Sequence, residues 1–361
     1  MRRYRAVVVG LNHFHGPGWV ESLAALNDQI EVVSRYDADP ARAGAIRPDH
    51  VDPALPQRYP EWFQNLPFHD DLNDLVETHR PDLAVVLLPN DVAPAAITCL
   101  ANAGVHLLLD KPTARTAAEA IPAFAAVDQN GVQAAVALTR RYGTGWQEAA
   151  AAIAAGEIGS LVTTEAVFVT SSVTVRDPGN LIFDRERMGG GVLHWLGIHD
   201  LDALQWLTGE PIVAVQAMTA APGTPGVEVE EVVSASVRYA SGAIGTVHYA
   251  YALPRPAGDG YVAIRGTRGS IKILADGSWT LMLAGTLTEP LMSRTTTYES
   301  RPSSGYGAVG SVILADLLQA MAGGSPPRAS GNEIVSALQV VDAMYAAAAS
   351  GTVVEVQGRS Q

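Results

Sequence analysis

The chain has 361 residues, 48% of them hydrophobic, which is enough for two sizeable cores and points to two domains. A formal net charge of −13 with no basic run excludes a nucleic-acid partner, because polyanion binding needs clustered Lys and Arg to displace counterions. A lone cysteine, Cys99, excludes an intramolecular disulfide and a thiolate metal cluster, suits a reducing compartment, and makes the cytoplasm the expected location.

Met1-Arg2-Arg3-Tyr4-Arg5 leads straight into the apolar run Ala6–Val9. That run is too short for a signal-peptide core or a bilayer span, so it reads as a first strand and no membrane partner is expected. Short apolar runs at Ile30–Tyr36, Leu83–Leu88, His106–Leu109 and Val132–Leu138 predict further strands, and the unbroken Leu83–Leu88 run fits a strand buried on both faces. Between them, Ala-rich Pro94–Ala103 ahead of Gly104 predicts a crossover helix with a glycine cap. Residues 1–138 therefore predict an α/β domain, a doubly wound parallel sheet.

The texture changes after Tyr142. A helix over Gly145–Ala155 is followed by strands that alternate in polarity, at Val162–Val169, Val232–Tyr239, Ala243–Ala252 and Ser270–Leu274. Ser241-Gly242 predicts a hairpin turn, and Gly266-Thr267-Arg268-Gly269 another. Ile334, Leu338, Val341 and Tyr345 share helical spacing in a last helix over Asn332–Ser350. Residues 139–361 thus predict an α+β domain on a mainly antiparallel sheet.

Several residues carry chemistry. Gly10 closes the first strand where a dinucleotide-binding turn needs a residue without a side chain. A strict Gly-x-Gly-x-x-Gly would continue with glycines at 12 and 15, but Asn12 and His15 stand there, and the loop also contains His13. Asp37 ends the second strand, 27 residues after Gly10, where a carboxylate can accept both ribose hydroxyls and repel a 2′-phosphate, favouring NAD over NADP. Asp39 is expected to cap a helix starting at Pro40. Pro89-Asn90 and Asp110-Lys111 follow the third and fourth strands, at the carboxyl ends where ligands bind in open α/β sheets. Lys111 could bind or deprotonate a substrate hydroxyl beside an oxidised nicotinamide.

In Gly189-Gly190-Gly191-Val192-Leu193-His194-Trp195-Leu196-Gly197-Ile198-His199-Asp200-Leu201-Asp202, the glycines permit a close backbone approach. A helix there puts Trp195, His199 and Asp202 on one face and turns His194 away. His199 is a candidate acid/base, with Asp202 too far round to be assumed its partner. His13-x-His15 is rich in ligand atoms, but no His-Glu-x-x-His or Cys–His pattern accompanies it, and no metal is expected. Charged residues of Ser171–Met188, among them Arg176 and Arg187, form a plausible substrate-facing segment.

Together these motifs resemble the glucose–fructose oxidoreductase / inositol dehydrogenase (Gfo/Idh/MocA) family over nearly the whole chain. They are Val8-Val9-Gly10, Asp37, Pro89-Asn90, Ala103-Gly104-Val105-His106, Asp110-Lys111-Pro112 where the family has Glu-Lys-Pro, Gly156-Glu157-Ile158-Gly159, and the block Gly189 to Asp202. The resemblance implies an N-terminal Rossmann domain and a C-terminal open sheet that forms dimers or tetramers. It further implies that Gly10 and Asp37 contact NAD, that Lys111 lies beside the nicotinamide and a sugar or polyol substrate, and that His199 is the catalytic histidine with Lys111; Asn12, His13, Pro89, Asn90, Asp110 and Lys111 are further candidates for the cofactor, and His194 and Trp195 for the substrate. Many members carry an aspartate where this chain has Trp195, and a histidine where it has Ala93. The expected activity is an NAD-dependent dehydrogenase acting on a sugar or cyclitol carbinol. A lyase, epimerase or glycosidase-like enzyme using transient oxidation, and an inactive NAD-binding sensor, stay open as alternatives.

Overall fold

The structure is a computed structural model that describes residues 2–49, 58–251, 259–283, 292–296 and 307–358. The chain forms two compact units: Met1–Ala137 with Arg176–Gly189 and Pro302–Val335, and Leu138–Val175 with Gly190–Arg301 and Ser336–Gln361. The first unit thus takes in two segments from beyond the expected boundary at 138/139. No helix among the described residues is long and apolar enough to cross a membrane.

In the first unit, six strands pair in parallel: β1 (Tyr4–Val9), β2 (Ile30–Tyr36), β3 (Phe68–His69), β4 (Leu83–Val86), β5 (His106–Leu109) and β6 (Ala134–Val136). Their order, β3-β2-β1-β4-β5-β6, reverses direction between β1 and β4, the switch point at which such sheets bind dinucleotides. Val7, Val8 and Val9 of β1 and Leu83, Ala84 and Val85 of β4 are wholly buried, which is why these strands read as unbroken apolar runs. Helices pack in two pairs, Gly16–Ala24 with Gly307–Met321 and Ala93–Asn102 with Ala117–Gln129.

Two strands are shorter than their apolar runs. The β4 strand ends at Val86, after which the Leu87 N–H donates to the Val9 carbonyl at 2.7 Å as the chain leaves the sheet, and β6 keeps only Ala134–Val136. Asp39 caps as expected, accepting from the Ala41 N–H at 3.0 Å, but the segment it starts, Pro40–Gly44, is a 3₁₀ turn instead of an α-helix.

The second unit is built on nine strands: β7 (Leu161–Val169), β8 (Ile212–Ala220), β9 (Val232–Tyr239), β10 (Ile244–Ala250), β11 (Asp259–Gly266), β12 (Gly269–Leu274), β13 (Trp279–Leu283), β14 (Met292–Thr296) and β15 (Val354–Glu355). They order as β14-β13-β12-β11-β7-β10-β9-β8-β15. Pairing is antiparallel throughout except between β7 and β10. Strict alternation of buried and exposed residues along β9 marks a sheet covered on one face. Ser241-Gly242 turns β9 into β10, with Gly242 at a φ of +92° that only glycine adopts without strain. The expected strand Ala243–Ala252 is observed as β10, and its last residue, Ala252, lies outside the described residues.

Candidate active site

At the carboxyl ends of the first sheet, the predicted cofactor residues come together on consecutive tips. Gly10 follows β1 at φ +97°, and a Cβ there would stand 2.9 Å from the Leu87 carbonyl carbon, so no other residue fits. Asp37, just past β2, accepts the Leu11 N–H at 2.8 Å on Oδ2 and the Asp39 N–H at 3.1 Å on Oδ1. Each carboxylate oxygen has a second lone pair, so this anchorage is compatible with ribose hydroxyls. Asn12 accepts the Asp49 N–H at 2.8 Å. The helix Gly16–Ala24 starts directly after the loop and has no acidic residue in its first turn, which suits an anion at its positive end. These features fit a dinucleotide despite the altered glycine pattern.

His15 departs most from that pattern, and its side chain is turned into the protein. Its Nδ1 lies 2.9 Å from Asp110 Oδ2, and Trp19 Nε1 donates to the same oxygen at 3.0 Å. Residues 15 and 19 are one helical turn apart, so both reach the tip of β5 from one face. His13 Nδ1 accepts the His15 backbone N–H at 3.2 Å and sits 3.8 Å from Asp110 Oδ2. Burial lowers the His13 pKa to about 3 and that of His15 as well, so both rings are neutral near pH 7. Burial alone would raise the Asp110 pKa; His15, His13 and Lys111 beside it more than offset this and keep the carboxylate ionised.

The donor atoms of His13, His15 and Asp110 lie within 4.8 Å of one another, a set that a divalent cation could use. Here, however, they are turned on one another: one imidazole nitrogen takes a backbone proton and the other pairs with the carboxylate.

Lys111 follows Asp110 and is 3% exposed. Burial lowers its pKa to about 7, Asp110 pulling it up and Arg176 pushing it further down. Thr113, two residues on, is a buried β-branched residue at φ +75°, a strained conformation that marks this tip as constrained. The Arg176 guanidinium stacks over Phe14 at 4.5 Å, which brings the Ser171–Met188 segment's first arginine to the glycine-loop position.

Pro89 and Asn90 anchor neighbouring backbone. The Pro89 carbonyl accepts the Val92 and Ala93 N–H groups at 3.2 and 2.9 Å, starting the helix Ala93–Asn102, and the buried Asn90 amide donates to the Met188 carbonyl at 2.8 Å. Ala93 itself is buried.

In the second unit, the block that carries His194, Trp195 and His199 is not a uniform α-helix. Leu193–Gly197 forms a π turn, and the α-helix runs from Ile198 to Thr208. Trp195 stands within this π turn and His199 in the first turn of the α-helix that follows. His194 and Trp195 are buried, and His199 is partly exposed.

Glu230, which sequence reasoning missed, holds the start of the turn. Its carboxylate accepts the Gly191 N–H at 2.8 Å, the Leu193 N–H at 3.1 Å and the Tyr345 hydroxyl at 2.8 Å, while burial pushes its pKa up. The glycines meet the chain itself: a Cβ on Gly190 would collide with the Tyr345 hydroxyl and one on Gly191 with the Glu230 carbonyl. The two acids that follow His199 are both paired, Asp200 with Arg140 at 2.5 Å and Asp202 with Arg141 at 2.8 Å.

Residues 4–138 match the model of an oxidoreductase family with an NAD-binding Rossmann fold, and residues 146–272 match that of the GFO/IDH/MocA C-terminal domain. The chain belongs to the GFO/IDH/MocA oxidoreductases and is a dehydrogenase or reductase of that family. It is 26% identical to a D-xylose 1-dehydrogenase (NADP(+)) of Haloferax volcanii over 76% of this chain and 80% of that one. Identity to a 1,5-anhydro-D-fructose reductase of Ensifer adhaerens is 27%, over 79% and 83%. An uncharacterized oxidoreductase of Bacillus subtilis is 29% identical over 55% of this chain, which spans 57% of that relative's length. A solved levoglucosan dehydrogenase in complex with NADH and levoglucosan superposes with a TM-score of 0.83 at 21% identity, covering 99% of this chain and 100% of that one, and shares the fold.

Proposed function

We propose that the protein is an NAD-preferring dehydrogenase of a sugar, cyclitol or related polyol. When bound, the nicotinamide takes a hydride from a carbinol carbon or returns it to a carbonyl. Lys111 binds and polarises the reacting oxygen as a cation, and His199 takes up the proton released from it. Trp195 and His194 contribute to substrate binding, the indole as a flat apolar surface suited to the C–H face of a sugar ring. Gly10, Asn12, His13, Asp37, Pro89, Asn90, Asp110 and Lys111 form the cofactor-binding set. The charge of Asp37, which would repel a 2′-phosphate, supports NAD. Relatives named for D-xylose and 1,5-anhydro-D-fructose support the substrate class. A cytoplasmic homodimer or homotetramer is the expected form.

Lys111 carries this reading: a lysine buried at the tip of β5, with its pKa lowered to about 7, is poised to exchange a proton near neutrality. Steady-state kinetics with NAD and a panel of sugars, cyclitols and polyols test it. At least one substrate should generate NADH, and Lys111→Ala should lower kcat/KM by about 10²-fold or more while NAD affinity stays within a few-fold. Unchanged turnover in Lys111→Ala would return the lysine to a structural role.

A further inference from the structure

We propose that Glu230, just before β9, is a positioning residue for substrate binding: its buried carboxylate ties down the π turn that carries His194 and Trp195. This rests on the assignment of those two residues to the sugar or polyol. Three successive backbone N–H groups at the start of the segment all end on Glu230. Gly191 and Leu193 donate to its Oε1 at 3.0 and 3.1 Å, Gly191 also reaches Oε2 at 2.8 Å, and Val192 donates to the Glu230 backbone carbonyl at 3.1 Å. The first N–H groups of a helical segment have no partner within it, and a side chain at the cap position commonly supplies one. Here that position is Val192, which has no acceptor to offer, and the acceptor comes from 39 residues beyond Gly191. The Tyr345 hydroxyl donates to Oε1 as well, at 2.8 Å, and orients the carboxylate.

Single bonds carry this hold into the turn. Gly191, fixed at its N–H by Glu230, accepts the Trp195 N–H on its carbonyl at 2.9 Å. Leu193, fixed in the same way, accepts on its carbonyl the Ile198 N–H, the five-residue bond that gives the turn its π geometry. Without the carboxylate, the Gly191 and Leu193 N–H groups are left buried with no acceptor, and the turn rearranges to satisfy them. The helix Ile198–Thr208, which carries His199, is anchored separately through the Asp200–Arg140 and Asp202–Arg141 pairs. Loss of Glu230 therefore displaces the substrate-binding residues and leaves the proton-transfer residue in place. The neighbouring Glu231 is buried too, but it accepts the Thr224 N–H at 3.1 Å and the Thr224 hydroxyl at 2.6 Å, fastening the loop ahead of β9 instead.

Kinetics and amide hydrogen exchange on the full-length chain test the proposal. Glu230→Ala should raise KM for the polyol about tenfold or more while kcat and NAD affinity stay within about threefold. Glu230→Gln, which keeps Oε1 as an acceptor for Gly191 and Leu193, should recover most of that loss. Glu231→Ala should lower the melting temperature without moving KM, which separates positioning from general destabilisation. Exchange read by mass spectrometry should show protection lost over residues 190–197 in Glu230→Ala and kept over 198–208. Should Glu230→Ala not fold, Tyr345→Phe removes the hydroxyl that orients the carboxylate and should raise KM about threefold.

A folded Glu230→Ala protein with wild-type KM, a fall in its kcat with KM held, or an equal rise of KM in Glu231→Ala would overturn the proposal. So would an unchanged KM in Tyr345→Phe. A wild-type protein that oxidises no polyol would instead overturn the dehydrogenase reading. Exchange, which needs no substrate, then decides the role of Glu230 by itself, and unchanged protection over 190–197 in Glu230→Ala overturns it.

Discussion

Arg141 holds Asp202 with two nitrogens, Nε 2.9 Å from Oδ2 and Nη2 2.8 Å from Oδ1. Such a fork ties Asp202, three residues after His199, into the fold of the helix Ile198–Thr208. Removing one partner of a buried pair strands the other charge. Asp202→Ala should therefore destabilise the protein by about 3 kcal/mol in urea unfolding, while the folded fraction keeps the wild-type pH dependence of kcat/KM. A displaced pH limb in that variant would make Asp202 part of the proton path.

Lys111 should cost the protein stability. Its pKa in the fold is lowered to about 7, below its value of 10.5 in an unfolded chain. The penalty is therefore present in full below pH 7 and is relieved as pH rises from about 7 to about 10.5, where only the unfolded chain still holds the proton. Lys111→Met should be more stable than wild type at pH 6 to 7 by roughly 2 kcal/mol, and the gap should close on the alkaline side. Chemical denaturation of both proteins across that range checks the sign.

Cofactor choice should follow Asp37. Its carboxylate, fixed by the Leu11 and Asp39 N–H groups, stands at the end of β2 where a 2′-phosphate would meet a negative charge. NAD should bind more tightly than NADP, and Asp37→Ala should shrink the gap, as measured by titrating both dinucleotides. An NADP preference in the unmutated protein would defeat the assignment.

Much of this architecture was legible in the chain. Apolar runs gave β1 and β5 because strands covered on both faces bury most of their residues, and alternation gave β9 because one face meets solvent. The two-residue β3 offers no periodicity to read, and the parallel pairing of β7 with β10 depends on contacts remote in sequence. Near the site, Gly10, Asp37 and Lys111 were legible as strand-end residues. Trp19 was not, although its place four residues after His15 was a signal that both could reach one partner. Glu230 stands in the sequence next to another glutamate, Glu231, with nothing to mark that it would hold the start of a π turn.

Trp195 and His199 should separate kinetically. Trp195→Ala should chiefly raise KM, with a loss of a few kcal/mol in stability because the indole is buried, whereas His199→Ala should chiefly lower kcat. Thermal melts run beside the kinetics distinguish packing from chemistry. A folded His199→Ala protein with wild-type kcat would move the proton transfer to another group.

Net oxidation of substrate is the central claim, and stoichiometry tests it most directly. Purified protein is mixed with NAD and a substrate drawn from the polyol panel, and NADH formed is measured against substrate consumed in the same sample. One NADH for each substrate molecule oxidised is the predicted result. Substrate consumed with no net NADH would contradict it in favour of transient oxidation, and NAD binding without consumption of any panel member would contradict it in favour of a sensor.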